Sequence, residues 1–262
     1  MMESMGLPDT GTLILLCAVA FTAGWVDAVA GGGGLLQLPA LLIAIPEASP
    51  VQALATNKVS SIAGTAAATA AYTRRVRPDV LTALPMVVTA IVGSAVGAFT
   101  ASRVPSEIFR PVVVVLLVIV WLWTLLRPAM GMEQNLRWQG SRRHYVVASL
   151  GGLLIGFYDG LLGPGTGSFL LILLVGVLGY SFLRASATAK VVNLGTNAAA
   201  IVVFASAGSV LWVLGPIMAT FNVLGAVLGV RTAIKRGSGF VRLVFLAVVG
   251  VLILRLAWDL IG

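Results

Sequence analysis

Residues 51–72, VQALATNKVSSIAGTAAATAAY, read as an apolar run of membrane-spanning length with a single charge, Lys58, inside it. Residues 183–205, LRASATAKVVNLGTNAAAIVVFA, repeat the plan around Lys190. An ammonium near the centre of a spanning helix costs about 2.5 to 3.5 kcal/mol on insertion scales, so such residues are rare and face a bundle interior. The two stretches match at a shift of 132 residues, and the same shift carries Asp27 onto Asp159, Arg110 onto Arg242 and Gly24 onto Gly156. It also pairs Thr56 with Thr188, Gly93 with Gly225 and Gly97 with Gly229. Small residues coincide by chance in such a sequence; intramembrane Asp and Lys do not. The chain is therefore read as two copies of one unit.

Composition places both copies in lipid. Of the 262 residues 59% are hydrophobic and 10% charged, with a mean hydropathy of +1.03, whereas soluble domains carry roughly 25% charged residues. Apolar runs near the spanning length of about 20 residues recur along almost the whole chain and leave nothing over for a soluble domain. Residues 1–127 form the expected first repeat, 128–143 a cytoplasmic linker and 144–262 the second repeat. The expected spans are Thr12–Val29, Leu35–Ile45, Val51–Tyr72, Val80–Ala101 and Ile108–Leu126, then Tyr145–Tyr158, Ser168–Leu178, Leu183–Ala205, Val210–Ile234 and Phe240–Ile261.

The net charge of +8 sits in short basic clusters between apolar runs, as at a cytoplasmic membrane face, which excludes nucleic acid as a partner. Cys17 and His144 are single residues of their kind, so no disulfide framework, metal site, cofactor or His-based nucleophile is expected. His144 reads as an interfacial residue beside the linker. Met1–Gly11 carries only Glu3 and Asp9 as charges. It lacks the basic start of a cleaved leader, and Thr12 onward reads as a retained first helix.

Whether the copies are parallel or inverted turns on two short segments, Leu35–Ile45 and Ser168–Leu178, each only about 17 Å long as helix. If they do not cross, each half has four spans and the repeat is parallel. If they cross, the odd count of five inverts the second copy. With five plus five, one face receives Arg74, Arg75, Arg77, Arg127, Arg137, Arg142, Arg143, Arg184, Arg231, Lys235, Arg236 and Arg242, the other only Arg103, Arg110 and Arg255. Four plus four gives a near-even split. Because Lys and Arg gather in cytoplasmic loops, the expected fold is an all-α integral membrane protein built as an inverted repeat of about 5+5 segments, with both termini outside. The 4+4 parallel repeat is the alternative.

Four features stand out as chemistry. Glycine clusters follow the first span of each half, Gly31-Gly32-Gly33-Gly34 and Gly163-Pro164-Gly165-Thr166-Gly167. Each leads into a helix whose first amides lack partners and whose positive end attracts anions, with Gly32, Gly33 and Gly165 as candidate contacts; tight turns or close packing are the plainer reading. Asp27 and Asp159 precede the clusters as capping carboxylates, counterions for buried lysines or proton carriers. Around Lys58 and Lys190, helical spacing sets Thr56, Asn57, Thr188, Asn193 and Asn197 on polar stripes that face the interior. Converging from opposite faces, the two lysines would form the centre of an anion site.

The sequence resembles the sulfite exporter TauE/SafE family, also called TSUP or DUF81. The resemblance rests on Gly24-Trp25-Val26-Asp27 leading into Gly31–Gly34, on Ala53-Leu54-Ala55-Thr56-Asn57-Lys58, and on the echoes Gly156-Phe157-Tyr158-Asp159-Gly160 and Ala185-Ser186-Ala187-Thr188-Ala189-Lys190. It implies inner-membrane transport, often export, of sulfite, thiosulfate, sulfoacetate or related anions. The expected function is a secondary transporter, not an enzyme; an anion channel or a membrane-embedded enzyme acting on a small sulfur compound are the rivals. Expected partners are a small anionic substrate, the lipid bilayer and protons or another coupling ion, with a homodimer as an option.

Overall fold

The computed structural model describes residues 7–101, 118, 121–122, 124–126, 129 and 131–261. The expected span Ile108–Leu126 lies largely outside the described residues, as do Arg103, Arg110 and Arg127. Eight helices carry the description: α1 (Thr10–Ala30), α2 (Gly34–Ala44), α3 (Pro50–Thr73), α4 (Val80–Thr100), α5 (Arg142–Leu161), α6 (Thr166–Ile172), α7 (Phe182–Ser206) and α8 (Leu214–Ile261). A π-helical turn over Leu173–Val177 prolongs α6. No strand is found among the described residues.

Local chemistry explains the boundaries. Asp9 caps α1 by accepting from Gly11 N (2.9 Å) and Thr12 N (3.2 Å), while Ser49 and Gln52 close a capping box ahead of Pro50 on α3. Ser141 and Ser181 cap α5 and α7. These four caps obey the same 132-residue shift, Asp9 with Ser141 and Ser49 with Ser181. A side-chain oxygen on the first free amides contributes about 1 kcal/mol to a helix start, so each copy begins its corresponding helices by the same device. Helix α1 ends at Gly31, whose φ of 78° is left-handed and favours glycine. Helix α8 is interrupted at Gly237 (φ 73°, ψ −172°), between the expected spans Val210–Ile234 and Phe240–Ile261.

Lipid-facing and buried stripes are distinct. Along α4, Leu81, Leu84, Val88, Val92, Val96 and Phe99 are more than half exposed, at helical spacing. The opposite stripe, Met86, Ala90, Gly93 and Gly97, is buried. Soluble proteins rarely expose so continuous an apolar face; hydrocarbon solvates it. Four described helices, α1, α4, α7 and α8 up to Val251, are long and apolar enough to cross a membrane, and the stretches Gly34–Ala44 and Thr166–Val177 are apolar but shorter.

Packing crosses between the halves. Helix α4 lies on α5: a Cβ at Gly93 would come 2.2 Å from Leu153 O, one at Gly97 2.1 Å from Phe157 O, and one at Gly160 1.9 Å from Ser94 O. Helix α1 lies on α8 in the equivalent way: a Cβ at Gly24 would come 2.1 Å from Asn222 O, one at Gly225 1.9 Å from Phe21 O and one at Gly229 2.6 Å from Trp25 O. Such backbone contact is open only to glycine. The contacts rise together from Gly93–Leu153 to Gly97–Phe157 and from Phe21–Gly225 to Trp25–Gly229, so α4 and α5 run in one direction, and so do α1 and α8 up to its break. Helix α3 runs with α8 too, through Thr56 with Leu211, Val59 with Gly215 and Gly64 with Asn222. Likewise α7 runs with α4, through Thr188 with Asp79, Gly195 with Ile91 and Thr196 with Ser94.

One end of the bundle gathers the basic loops. Asn135 N donates to Gly179 O (2.8 Å), Arg137 N to Leu178 O (2.9 Å) and Phe182 N to Gly131 O (2.8 Å), which pins the linker to the turn between α6 and α7. Tyr180 from that turn donates to Asp79, the N-cap of α4 (2.5 Å), and touches Thr82 (3.0 Å), which is bonded to His144 (3.0 Å). His144, in the first turn of α5 beside the linker, is thus buried at 2% exposure. Burial pulls the Asp79 carboxyl upward, but the Tyr180 hydroxyl and the Thr82 amide outweigh it and hold it below its ordinary value.

The glycine seams are predicted to be stability determinants. Gly160→Ala and Gly225→Ala should each cost about 1–3 kcal/mol through overpacking, measured as a lowered Tm in detergent. Gly239→Ala, whose Cβ would meet only the flexible end of Met132 at 3.2 Å, should leave Tm unchanged.

Candidate functional site

Each lysine is the ninth residue of its helix, about 12 Å from the start. Each finds its carboxylate in the other half of the chain. Lys58 Nζ lies 2.6 Å from Asp159 Oδ1, with both side chains 2% exposed. Lys190 Nζ lies 2.6 Å from Asp27 Oδ2, and Asp27 is the most open of the four at 17%. Asp27 also lies within electrostatic reach of Lys58.

The glycine breaks bring the pairs together. Gly31 and Gly167 meet backbone to backbone, a Cβ at Gly31 lying 2.2 Å from Gly167 C, and Ser168 fixes the junction through its amide to Gly31 O (3.1 Å) and its hydroxyl to Ala30 O (3.0 Å). Gly163 (φ 83°) lets the second break pass within 3.2 Å of Lys58 Cε, measured from a Cβ built on the glycine. Gly33 packs on Asp27 Cβ, Gly165 (φ 86°) on Leu35, and Gly32 on Val248, Leu35 and Val26.

The pairs are alike in geometry but not in surroundings. Asp159 Oδ1 also accepts from the Thr166 hydroxyl (2.6 Å). The position equivalent to Thr166 in the first half is Gly34, so Asp27 lacks that second donor. Thr56 and Thr188 each accept from a backbone amide, Leu211 N (3.2 Å) and Asp79 N (3.3 Å). Asn193 Oδ1 accepts from Thr196 (3.3 Å), and Asn197 is buried beside it on α7. On α3, Asn57 Oδ1, Ser60 Oγ and Thr65 Oγ1 are buried without a hydrogen-bond partner.

Gln37 and Asn222 escaped the sequence reading. Asn222 Nδ2 donates to Gln37 Oε1 (3.0 Å), and Gln37 is fully buried. Their equivalents at the 132-residue shift are Phe169 and Ala90, so a search for repeated polar residues passes over both. The signal that would find them is simpler: each is an amide inside an apolar run.

A helical bundle that turns apolar faces outward and seals opposite charges inside is a multi-pass membrane protein, with polar groups placed for solute handling. This chain belongs to the sulfite exporter TauE/SafE family, whose family model matches residues 16–256. A protein of Sinorhizobium sp. named probable membrane transporter protein ORF9 is 39% identical over 249 residues, covering 94% of this chain and 93% of its own. The probable membrane transporter protein YfcA of Escherichia coli K12 is 34% identical over 247 residues, 94% and 89% of the two chains. A probable membrane transporter protein of Haemophilus influenzae is 34% identical over 235 residues, 88% of each chain. No solved structure matches.

Removing one partner of a buried pair leaves an uncompensated charge, at a cost of about 3–5 kcal/mol. Lys58→Met is therefore predicted to lower Tm strongly, and Lys58→Met/Asp159→Asn to recover most of the loss. Lys190→Met should cost less, because Asp27 keeps some contact with solvent.

Proposed function

We propose that the protein is a secondary transporter that exports a small sulfur oxyanion or organosulfonate across the inner membrane, with Lys58 and Lys190 at the centre of the anion site. The observation that carries this reading is the crossed pairing, Lys58 with Asp159 and Lys190 with Asp27. Two ammonium groups in one enclosed site match a divalent or bidentate anion, and the carboxylates occupy them in its absence. Substrate competes with the aspartates, and each displaced carboxylate loosens a link between the halves. Asp27, with fewer partners and more exposure, is the natural carrier of a coupling proton. Asn57, Asn193 and Asn197 supply neutral hydrogen bonds to the remaining oxygens, while Thr56 and Thr188 fix the helices that bear the lysines. Sulfite-like chemistry follows from the family's description, and transport from the relatives' names.

The inverted 5+5 arrangement belongs to the same proposal. Helices α1 and α3 both run with α8, so the chain between them must return across the layer, and α2 with its glycine break is that return. Helices α5 and α7 both run with α4, which follows α3 after the short turn at 74–79 and so returns through the layer. The two copies therefore point in opposite directions, as expected for halves that rock about a central site. The linker, the α3–α4 turn and the α6–α7 turn share one basic end, which the positive-inside rule assigns to the cytoplasm.

Two measurements test these readings. In a thermal-shift screen of the purified protein against sulfite, thiosulfate, sulfonates and carboxylates, a sulfur anion should raise Tm, and Lys190→Met/Asp27→Asn should abolish the rise. Unchanged stabilisation in that variant and in Lys58→Met/Asp159→Asn would place the site elsewhere. For topology, an impermeant thiol reagent on intact cells in a Cys17→Ala background should label Ala207→Cys and spare Arg75→Cys and Gln139→Cys. Equal labelling of all three would sink the inverted model.

A further inference from the structure

Hydrogen-bonding capacity is distributed unevenly around the two ion pairs. Asn57 Oδ1, Ser60 Oγ and Gln37 Nε2 are buried atoms without a hydrogen-bond partner, on residues no more than 3% exposed. Their equivalents in the second half are Ala189, Val192 and Phe169, none of which has a polar side-chain atom.

Asn57, Ser60 and Gln37 lie along one contact region between α2, α3 and α8. Asn57, Ser60 and Gly64 fall at i, i+3 and i+7, on one face of α3. Both ends of that face are covered: Asn57 Nδ2 lies 3.5 Å from a Cβ built on Gly34, and Gly64 lies against Asn222. Gln37, one turn beyond Gly34 on α2, reaches across to Asn222. That bond occupies the Gln37 oxygen and leaves its NH2 unpaired. The region adjoins the Lys58–Asp159 pair, because Pro164, beside Gly34, is the neighbour of Gly163, which lies against Lys58.

We infer that Gln37, Asn57 and Ser60 form a neutral subsite beside the Lys58–Asp159 pair that takes a hydroxyl group tethered to the anionic head of the ligand. The subsite rests on the anion-site reading above and extends it. Its chemistry follows from the atoms left over. Gln37 Nε2 only donates, so the ligand group must accept; Asn57 Oδ1 only accepts, so the group must also donate; the Ser60 hydroxyl does either. A carbonyl cannot donate, an ammonium cannot accept, and an inorganic dianion has nothing to give Asn57. A hydroxyl satisfies all three, and a site built to bond a hydroxyl penalises the analogue that lacks it.

The test compares 2-hydroxyethanesulfonate with ethanesulfonate, and uses thiosulfate as an anion without a tail, in binding titrations of the purified full-length protein. Wild type should bind the hydroxylated sulfonate about tenfold more tightly than ethanesulfonate, the scale of one or two net hydrogen bonds. Ser60→Ala and Gln37→Leu should each bring that ratio close to one; the ratio is insensitive to how much protein folds, and Ser60→Ala suffices if Gln37→Leu fails to accumulate. Equal affinity for the two sulfonates in wild type, or an unchanged ratio in Ser60→Ala, overturns the subsite while thiosulfate binding leaves the anion site standing. If neither thiosulfate nor a sulfonate binds, both readings fall together.

Discussion

An ammonium group enclosed by helices must have a carboxylate, and in this chain each ammonium takes its carboxylate from the opposite half. Removing an ion from water costs several kcal/mol even after relaxation, and only close, well-bonded pairing offsets it. With Lys58 held by Asp159 and Lys190 by Asp27, each at 2.6 Å, neither half can bury its lysine alone. The requirement extends outward from the charges. For Asp159 to reach Lys58, α5 must end beside α3, and for Asp27 to reach Lys190, α1 must end beside α7. Helices α1 and α5 can stop there because glycine breaks follow them.

The glycine seams answer the same constraint. Bringing α5 against α4 and α1 against α8 closely enough to close the charged centre requires backbone contact at Gly93, Gly160, Gly24 and Gly225. In lipid no hydrophobic effect draws helices together, so close packing through small residues must supply the association. Packing and charge pairing are therefore coupled: a helix pushed outward by an added methyl group also lengthens an ion pair. The two seams hold together elements of opposite halves, which makes the bundle one interlocked body.

The duplicated features were the legible ones. Lys58, Lys190, Asp27 and Asp159 stand out because charge is rare in apolar runs, and the 132-residue shift repeats them. The partnership itself was legible only as a type, since sequence allows Lys58 to pair with either aspartate and the crossing is a property of packing. Helix caps at Asp9, Ser49, Ser141 and Ser181 were readable in principle by the same shift. Burial of His144 was not, because its partners Thr82 and Tyr180 come from distant turns that assemble only when the linker folds back. Gln37 and Asn222 broke the repeat and so were hidden by the reasoning that exposed the lysines. Thr56 and Thr188 show what helical spacing leaves out: a hydroxyl on the expected helix face also serves a backbone amide of a neighbouring element.

Departure from symmetry has an energetic meaning of its own. Two identical half-sites would hold their carboxylates equally, and an entering anion would have no preferred order of displacement. Here Asp159 keeps a second donor in Thr166, while Asp27 has glycine at the equivalent place and greater exposure. The Thr166 hydroxyl shares its one proton between Asp159 Oδ1 and Gly163 O, and even a shared bond favours the Lys58–Asp159 pair over the Lys190–Asp27 pair, which has none among the described residues. Under the anion site proposed above, an anion arriving from either side would meet the same weak link and free Lys190 before Lys58, an order that the imperfections of the repeat supply.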